Sequence, residues 1–132
     1  MTNSAKRILI VDDDEDIAAS VADLLTDWGY EVACASDGRK ALEFLQAAET
    51  LPQLIMLDVM MPEMDAHAFR VEQQQDAKLA GIPVLLMTAG VDVHAKATEL
   101  GADAYLKKPF KDLQTIRDTV ARCFRGTASD ST

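Results

Sequence analysis

Apolar residues along this chain fall into two alternating patterns: short continuous runs, and longer stretches at helical spacing. KRILIV (6–11) is a continuous run suited to a strand buried on both faces. From Asp14 to about Trp28, the residues Ile17, Val21, Leu24, Leu25 and Trp28 recur at helical intervals, and Gly29 follows as a C-terminal stop. EVACA (31–35) predicts a short second strand, and Asp37 is placed to cap a helix through Ala41, Leu42 and Leu45. Pro52 separates that helix from QLIMLD (53–58), the expected central strand. MMPEM (60–64) breaks the pattern, and a third helix from about Asp65 to Gln75 has poor apolar spacing and one polar side. Gly81-Ile82-Pro83 leads into VLLMT (84–88), a fourth strand. A helix from roughly Val91 to Leu100 ends at Gly101. ADAYLK (102–107) is the fifth strand, and the last helix is expected from Phe110 to Phe124 on an inner stripe of Phe110, Leu113, Ile116, Val120 and Phe124. Five strand–helix units with short connections call for a three-layer α/β sandwich.

The division expected is an N-terminal extension (1–5), one domain (6–124) and a flexible polar tail, RGTASDST (125–132). A chain of 132 residues is long enough for a real core, and no apolar run is long enough to span a membrane. MTNSAKR carries no signal-peptide hydrophobic region, so the expectation is a cytoplasmic protein. Cys34 and Cys123 then read as two buried free thiols in a reducing compartment. Thirteen Lys and Arg against 22 Asp and Glu leave a net charge of −9, which disfavours direct nucleic-acid binding.

Four of the apolar runs end on a charged or reactive residue: Asp12-Asp13, Asp58, Thr88 and Lys108. In one parallel sheet these carboxyl ends share an edge, where open α/β sheets bind ligands. Three carboxylates, a hydroxyl and an ammonium make a place to hold a divalent cation and a phosphoryl group.

In order along the chain, ILIVDDDEDI, LIMLDVMMPEMD, VLLMTAG and AYLKKPF closely resemble the receiver domain of two-component response regulators, the CheY-like family, over about residues 6 to 124. The resemblance implies a flavodoxin-like, doubly wound fold with a parallel five-stranded sheet in the order 2-1-3-4-5. It makes Asp58 the phosphoacceptor, taking a phosphoryl group from a sensor histidine kinase or a histidine phosphotransfer protein. Mg²⁺ is the implied cofactor, with Asp13, Asp58 and the backbone carbonyl of Met60 as ligands and Asp12 acting more often through water. Without a cation, three crowded carboxylates would repel one another. Asp14, Glu15 and Asp16 are better explained by the next helix's N-terminus.

By the same resemblance Lys108 reaches the phosphoryl oxygens and Asp58, with Lys107 a surface charge, and Lys108–Pro109 is a candidate cis peptide. Thr88 would donate to the phosphoryl group and Tyr105 would turn inward behind it, reshaping the face of the fourth helix, fifth strand and fifth helix for a downstream protein or output domain. Tyr105 as an ordinary half-buried core aromatic is the alternative. A phosphorylation-dependent homodimer stays open. Such a domain contributes to its own phosphorylation and dephosphorylation but is mainly a switch.

Two departures stand out. The family often has Gly where this chain has Ala66, which would carry a strain cost if that position needed positive φ, and a slight shift of the turn is the better expectation. Met60 and Gly90, flanking the presumed line of water attack, cannot orient a water by a strong hydrogen bond. His67 and His94 read as surface residues. An Asp-nucleophile phosphohydrolase would want a second acid for its leaving group, and a nucleotide or flavin binder would want a glycine-rich first turn, which VDDDED does not offer. The stronger rival is a phosphate-independent interaction module on the same fold. The residues after Phe124 are too few for an output domain, so the expectation is a stand-alone regulator or a receiver cut from a longer protein.

Overall fold

The computed structural model describes residues 6–59, 65–89, 92–110 and 112–129. The strands are β1 (Arg7–Val11), β2 (Glu31–Ala35), β3 (Leu54–Asp58), β4 (Val84–Ala89) and β5 (Ala104–Lys108). The helices are α1 (Glu15–Asp27), α2 (Gly38–Ala47), α3 (Ala66–Gln75), α4 (Val93–Leu100) and α5 (Leu113–Ser129), each following its strand. All strand pairings are parallel and the sheet order is β2-β1-β3-β4-β5, as the resemblance implied.

Alternation along the strands divides the core in two. Leu9, Val11, Ile55, Leu57, Val84 and Leu86 pack with Leu42 and Leu45 of α2, Phe69 of α3 and Leu100 of α4. Ile8, Ile10, Leu54, Met56, Leu85, Met87 and Leu106 face the other way, against Val21 and Leu25 of α1 and Ile116 and Val120 of α5. The three central strands are covered on both sides, which is why their sequences read as unbroken apolar runs.

Aspartates set the helix starts. Asp14 accepts from the amides of Asp16 and Ile17, both at 3.1 Å, and Asp37 accepts from Lys40 at 2.8 Å. Asp65 caps α3 through Ala68 at 2.9 Å, and Asp92 caps α4 through Ala95 at 3.1 Å. Each carboxylate satisfies an amide that the helix itself cannot. Part of the acidic composition is therefore spent on turning strands into helices. At the other end of α4, Gly101 takes the left-handed conformation (φ 68°) and the Ala102 amide bonds back to the Ala97 carbonyl at 2.9 Å.

Several expectations need correction. Cys34 is exposed, because β2 is an edge strand without cover on both sides; Cys123 is buried, as expected. Ala66 needs no such correction: it is a buried first residue of α3, free of the strain that positive φ would bring, and no described non-glycine residue has positive φ. Helix α4 starts at Val93 behind its Asp92 cap, and α5 starts at Leu113. Leu113 is 53% exposed and Cys123 takes an inner position instead. The helical backbone runs on to Ser129, past the end expected at Phe124. No described helix is long and apolar enough to cross a membrane.

Candidate functional site

The carboxyl ends of β1, β3 and β5 bring the expected charged residues together. Asp12 is buried just past β1, where its amide donates to the Ala35 carbonyl at 3.1 Å. Its Oδ1 accepts from the Asp14 amide at 2.9 Å, which orients the carboxylate. Lys108 Nζ lies 2.6 Å from Asp12 Oδ2 and 3.5 Å from Asp58 Oδ1. Sequence reasoning directed Lys108 at Asp58; the side chain spans both acids and sits closer to Asp12. The alternation of β5 separates the two lysines, leaving Lys107 exposed and Lys108 partly buried. The Lys108–Pro109 peptide is cis.

Asp12, Asp13 and Asp58 each offer a carboxylate oxygen, and the three lie within 4.8 Å of one another. Asp12 and Asp58 are buried while Asp13 is exposed. With Lys108 as the compensating cation, the cluster keeps a net of two negative charges, three minus one. Hard oxygen donors at this spacing, open to solvent through Asp13, suit a small divalent cation that retains water. The residues present therefore fit Mg²⁺. The proposed backbone ligand, Met60, lies outside the described residues, as does Gly90.

Thr88 is one residue beyond Met87, the register partner of Asp58. It is 1% exposed, and its hydroxyl has no hydrogen-bond partner among the described residues. Buried hydroxyls are ordinarily paired, so an orphan beside an acidic cluster is a donor in want of an acceptor. Tyr105 is 44% exposed, with its ring 5.8 Å from that of His94. It points outward in this structure and is not a core aromatic.

A family model described as the response regulator receiver domain matches residues 8–121. The chain belongs to that family. It is 39% identical over 134 residues to the probable transcriptional regulator ycf27 of Cyanophora paradoxa, covering 98% of this chain and 54% of that protein. Against the DNA-binding dual master transcriptional regulator RpaA of Synechocystis, identity is 39% over 123 residues, covering 92% and 50%. The receiver domain thus spans about half the length of these curated relatives. Among solved structures, the chemotaxis protein CheY4 of Vibrio cholerae superposes with a TM-score of 0.81 at 33% identity, covering 91% of this chain and 99% of that one. The signal receiver domain of a histidine kinase from Syntrophus aciditrophicus gives 0.81 at 36%, covering 92% of each.

Sequence reasoning missed two residues of this receiver domain. Arg70 and Gln73 are buried in α3, with Arg70 7% exposed. They lie in the helix whose poor apolar spacing and one polar side gave no inner face. The signal was present: positions 66, 69, 70 and 73 form one helical face, and Phe69 marks it as the inner one.

Proposed function

We propose that this receiver domain takes a phosphoryl group onto Asp58 from a phosphohistidine on a sensor kinase or phosphotransfer protein, and signals through a change on the α4–β5–α5 face. What supports this most is the Lys108 ammonium set between Asp12 and Asp58 within a three-carboxylate cluster. An Asp58 carboxylate oxygen attacks phosphorus, a P–O bond forms and the P–N bond breaks. The imidazole nitrogen leaves with the electron pair. Lys108 neutralises charge on the transferred oxygens, and burial of Asp12 and Asp58 makes that interaction stronger than it would be in water. Asp12, Asp13 and Asp58, with the Met60 carbonyl, would hold Mg²⁺. When bound, the ion offsets the residual negative charge and so admits an anionic phosphoryl group.

Thr88 then gains the acceptor its hydroxyl lacks among the described residues, and Tyr105 turns inward from its exposed position. The phosphoryl group favours one of two packings, which is a population shift. Domain-wide acidity suits a protein partner or an attached output domain for that face better than nucleic acid.

The test is intact mass after incubation with a small acyl-phosphate donor, with and without Mg²⁺, on wild type and Asp58→Asn. A phosphoryl adduct that requires both the metal and Asp58 is expected. An equal adduct at the same site in Asp58→Asn would sink the assignment. No adduct, together with no binding of beryllium fluoride, would favour the phosphate-independent interaction module.

A further inference from the structure

The inner face of α3 carries a polar pair where an amphipathic helix would place apolar residues. Arg70 Nε donates to the Leu100 carbonyl at 2.9 Å, and one terminal nitrogen donates to the Gly101 carbonyl at 3.0 Å. The other terminal nitrogen donates to Gln73 Oε1 at 2.6 Å. Gln73 in turn donates to the carbonyls of Leu79 and Ile82, at 2.9 and 3.1 Å. A buried guanidinium is costly unless its donors are met, and here two carbonyls at the end of α4 and the Gln73 amide oxygen take three of its five. Burial pulls the guanidinium below its ordinary range, and the charge of Asp103 opposes that pull.

The two ends of α4 are held differently. Among its described residues only Ala97 and Leu100 are buried, both in the C-terminal half, while His94 and Ala95 are exposed. Beyond Gly101, Asp103 grips the start of β4 from both sides: its amide donates to the Val84 carbonyl at 2.8 Å, and its carboxylate accepts from the Val84 amide at 2.9 Å. Near the phosphorylation edge, α4 has the Asp92 cap and no described buried side chain.

We propose that Arg70 and Gln73 form a buried latch fixing the C-terminal end of α4 to α3, so that α4 pivots about Gly101 and only its N-terminal end moves when the site is phosphorylated. The pivot rests on the phosphoacceptor reading above; the latch does not. Moving the C-terminal end would strip a buried cation of two acceptors at once, whereas at the N-terminal end the described side chains, Asp92, His94 and Ala95, are already exposed. Gly101 suits the pivot, since its left-handed backbone separates the helix from the segment that Asp103 anchors.

Amide hydrogen exchange resolves both parts. In the free domain, Arg70→Met should speed exchange at Gly101 and Ala102 at least tenfold beyond the change expected from its global stability. The Ala95 and Lys96 amides, held by Asp92, should stay as they were. Arg70→Lys, which keeps a charge but fewer donors, should fall between. A uniform change across the domain in both variants would overturn the latch. With Mg²⁺ and beryllium fluoride, wild type should change at Ala95 and Lys96 and not at Gly101 or Ala102, while Arg70→Met changes at all four. Movement at Gly101 and Ala102 in wild type would overturn the pivot. If wild type does not bind beryllium fluoride, the phosphoacceptor reading fails and takes the pivot with it; the latch is still decided by the free-domain exchange.

Discussion

Replacing Thr88 with valine should make the receiver domain more stable and less responsive. The two side chains have nearly the same shape, and both suit a strand. The wild-type hydroxyl is 1% exposed with no partner among the described residues, so folding strips it of water without replacement. An unsatisfied buried polar group costs about 1–3 kcal/mol. Removing it should raise the unfolding free energy by roughly 1–2 kcal/mol, allowing for partial relaxation around the site. For 132 residues the entropy of unfolding converts each kcal/mol into about 4 °C of Tm, so a rise of about 4–8 °C is expected. Urea and thermal unfolding in chelator, with the cluster free of divalent cation, would measure this. Binding of beryllium fluoride in Mg²⁺ should weaken roughly 10- to 150-fold, the equivalent of one hydrogen bond to a charged acceptor at about 1.5–3 kcal/mol. A Thr88→Val domain no more stable than wild type would show that the hydroxyl is already satisfied, and the argument for a poised donor would fail. Greater stability with unchanged beryllium fluoride affinity would instead separate the orphan hydroxyl from the phosphoryl site.

Asp13→Asn should stabilise the domain in chelator by about 1–2 kcal/mol, since each of its two carboxylate neighbours within 4.8 Å repels it by about 1 kcal/mol in water-like screening. It should also lose most of the Tm increase that Mg²⁺ gives the wild type; an undiminished Mg²⁺ increase would remove Asp13 from the metal site. Tyr105→Ala should leave Asp58 labelling intact and weaken a phosphorylation-dependent partner by roughly 5- to 30-fold, the size of a typical coupling free energy between two sites; unchanged affinity on titration would end the relay. Burial pushes the Cys123 thiol from 9.0 up to about 11, so the folded state keeps a proton that the unfolded state releases. Stability from this residue is complete below pH 9 and falls as pH rises toward about 11. Cys123→Ala should flatten the slope in that window, and an unaltered slope would assign it to other groups. At mildly alkaline pH, exposed Cys34 should react with a thiol reagent well before Cys123.

What the amino-acid order determined by itself was everything carried by short-range patterns. Continuous apolar runs required strands covered on both faces, and Asp14, Asp37 and Asp65 marked helix starts because a carboxylate needs only the next two or three amides to cap them. The strand ends that bear Asp12, Asp58, Thr88 and Lys108 followed from the same runs, so the composition of the site was legible before its geometry. Tertiary structure decided the pairings. Lys108 meets Asp12 across 96 residues of sequence, and its preference for that acid over Asp58 depends on how β5 lies beside β4 and α5. Cys34 is exposed because β2 ends the sheet, which the run EVACA cannot reveal. Polar residues such as Arg70 and Gln73 carry no sequence mark of burial, because polarity ordinarily signals water. Here their donors are met by backbone carbonyls brought from α4 and the segment before β4, and no local pattern encodes such distant acceptors.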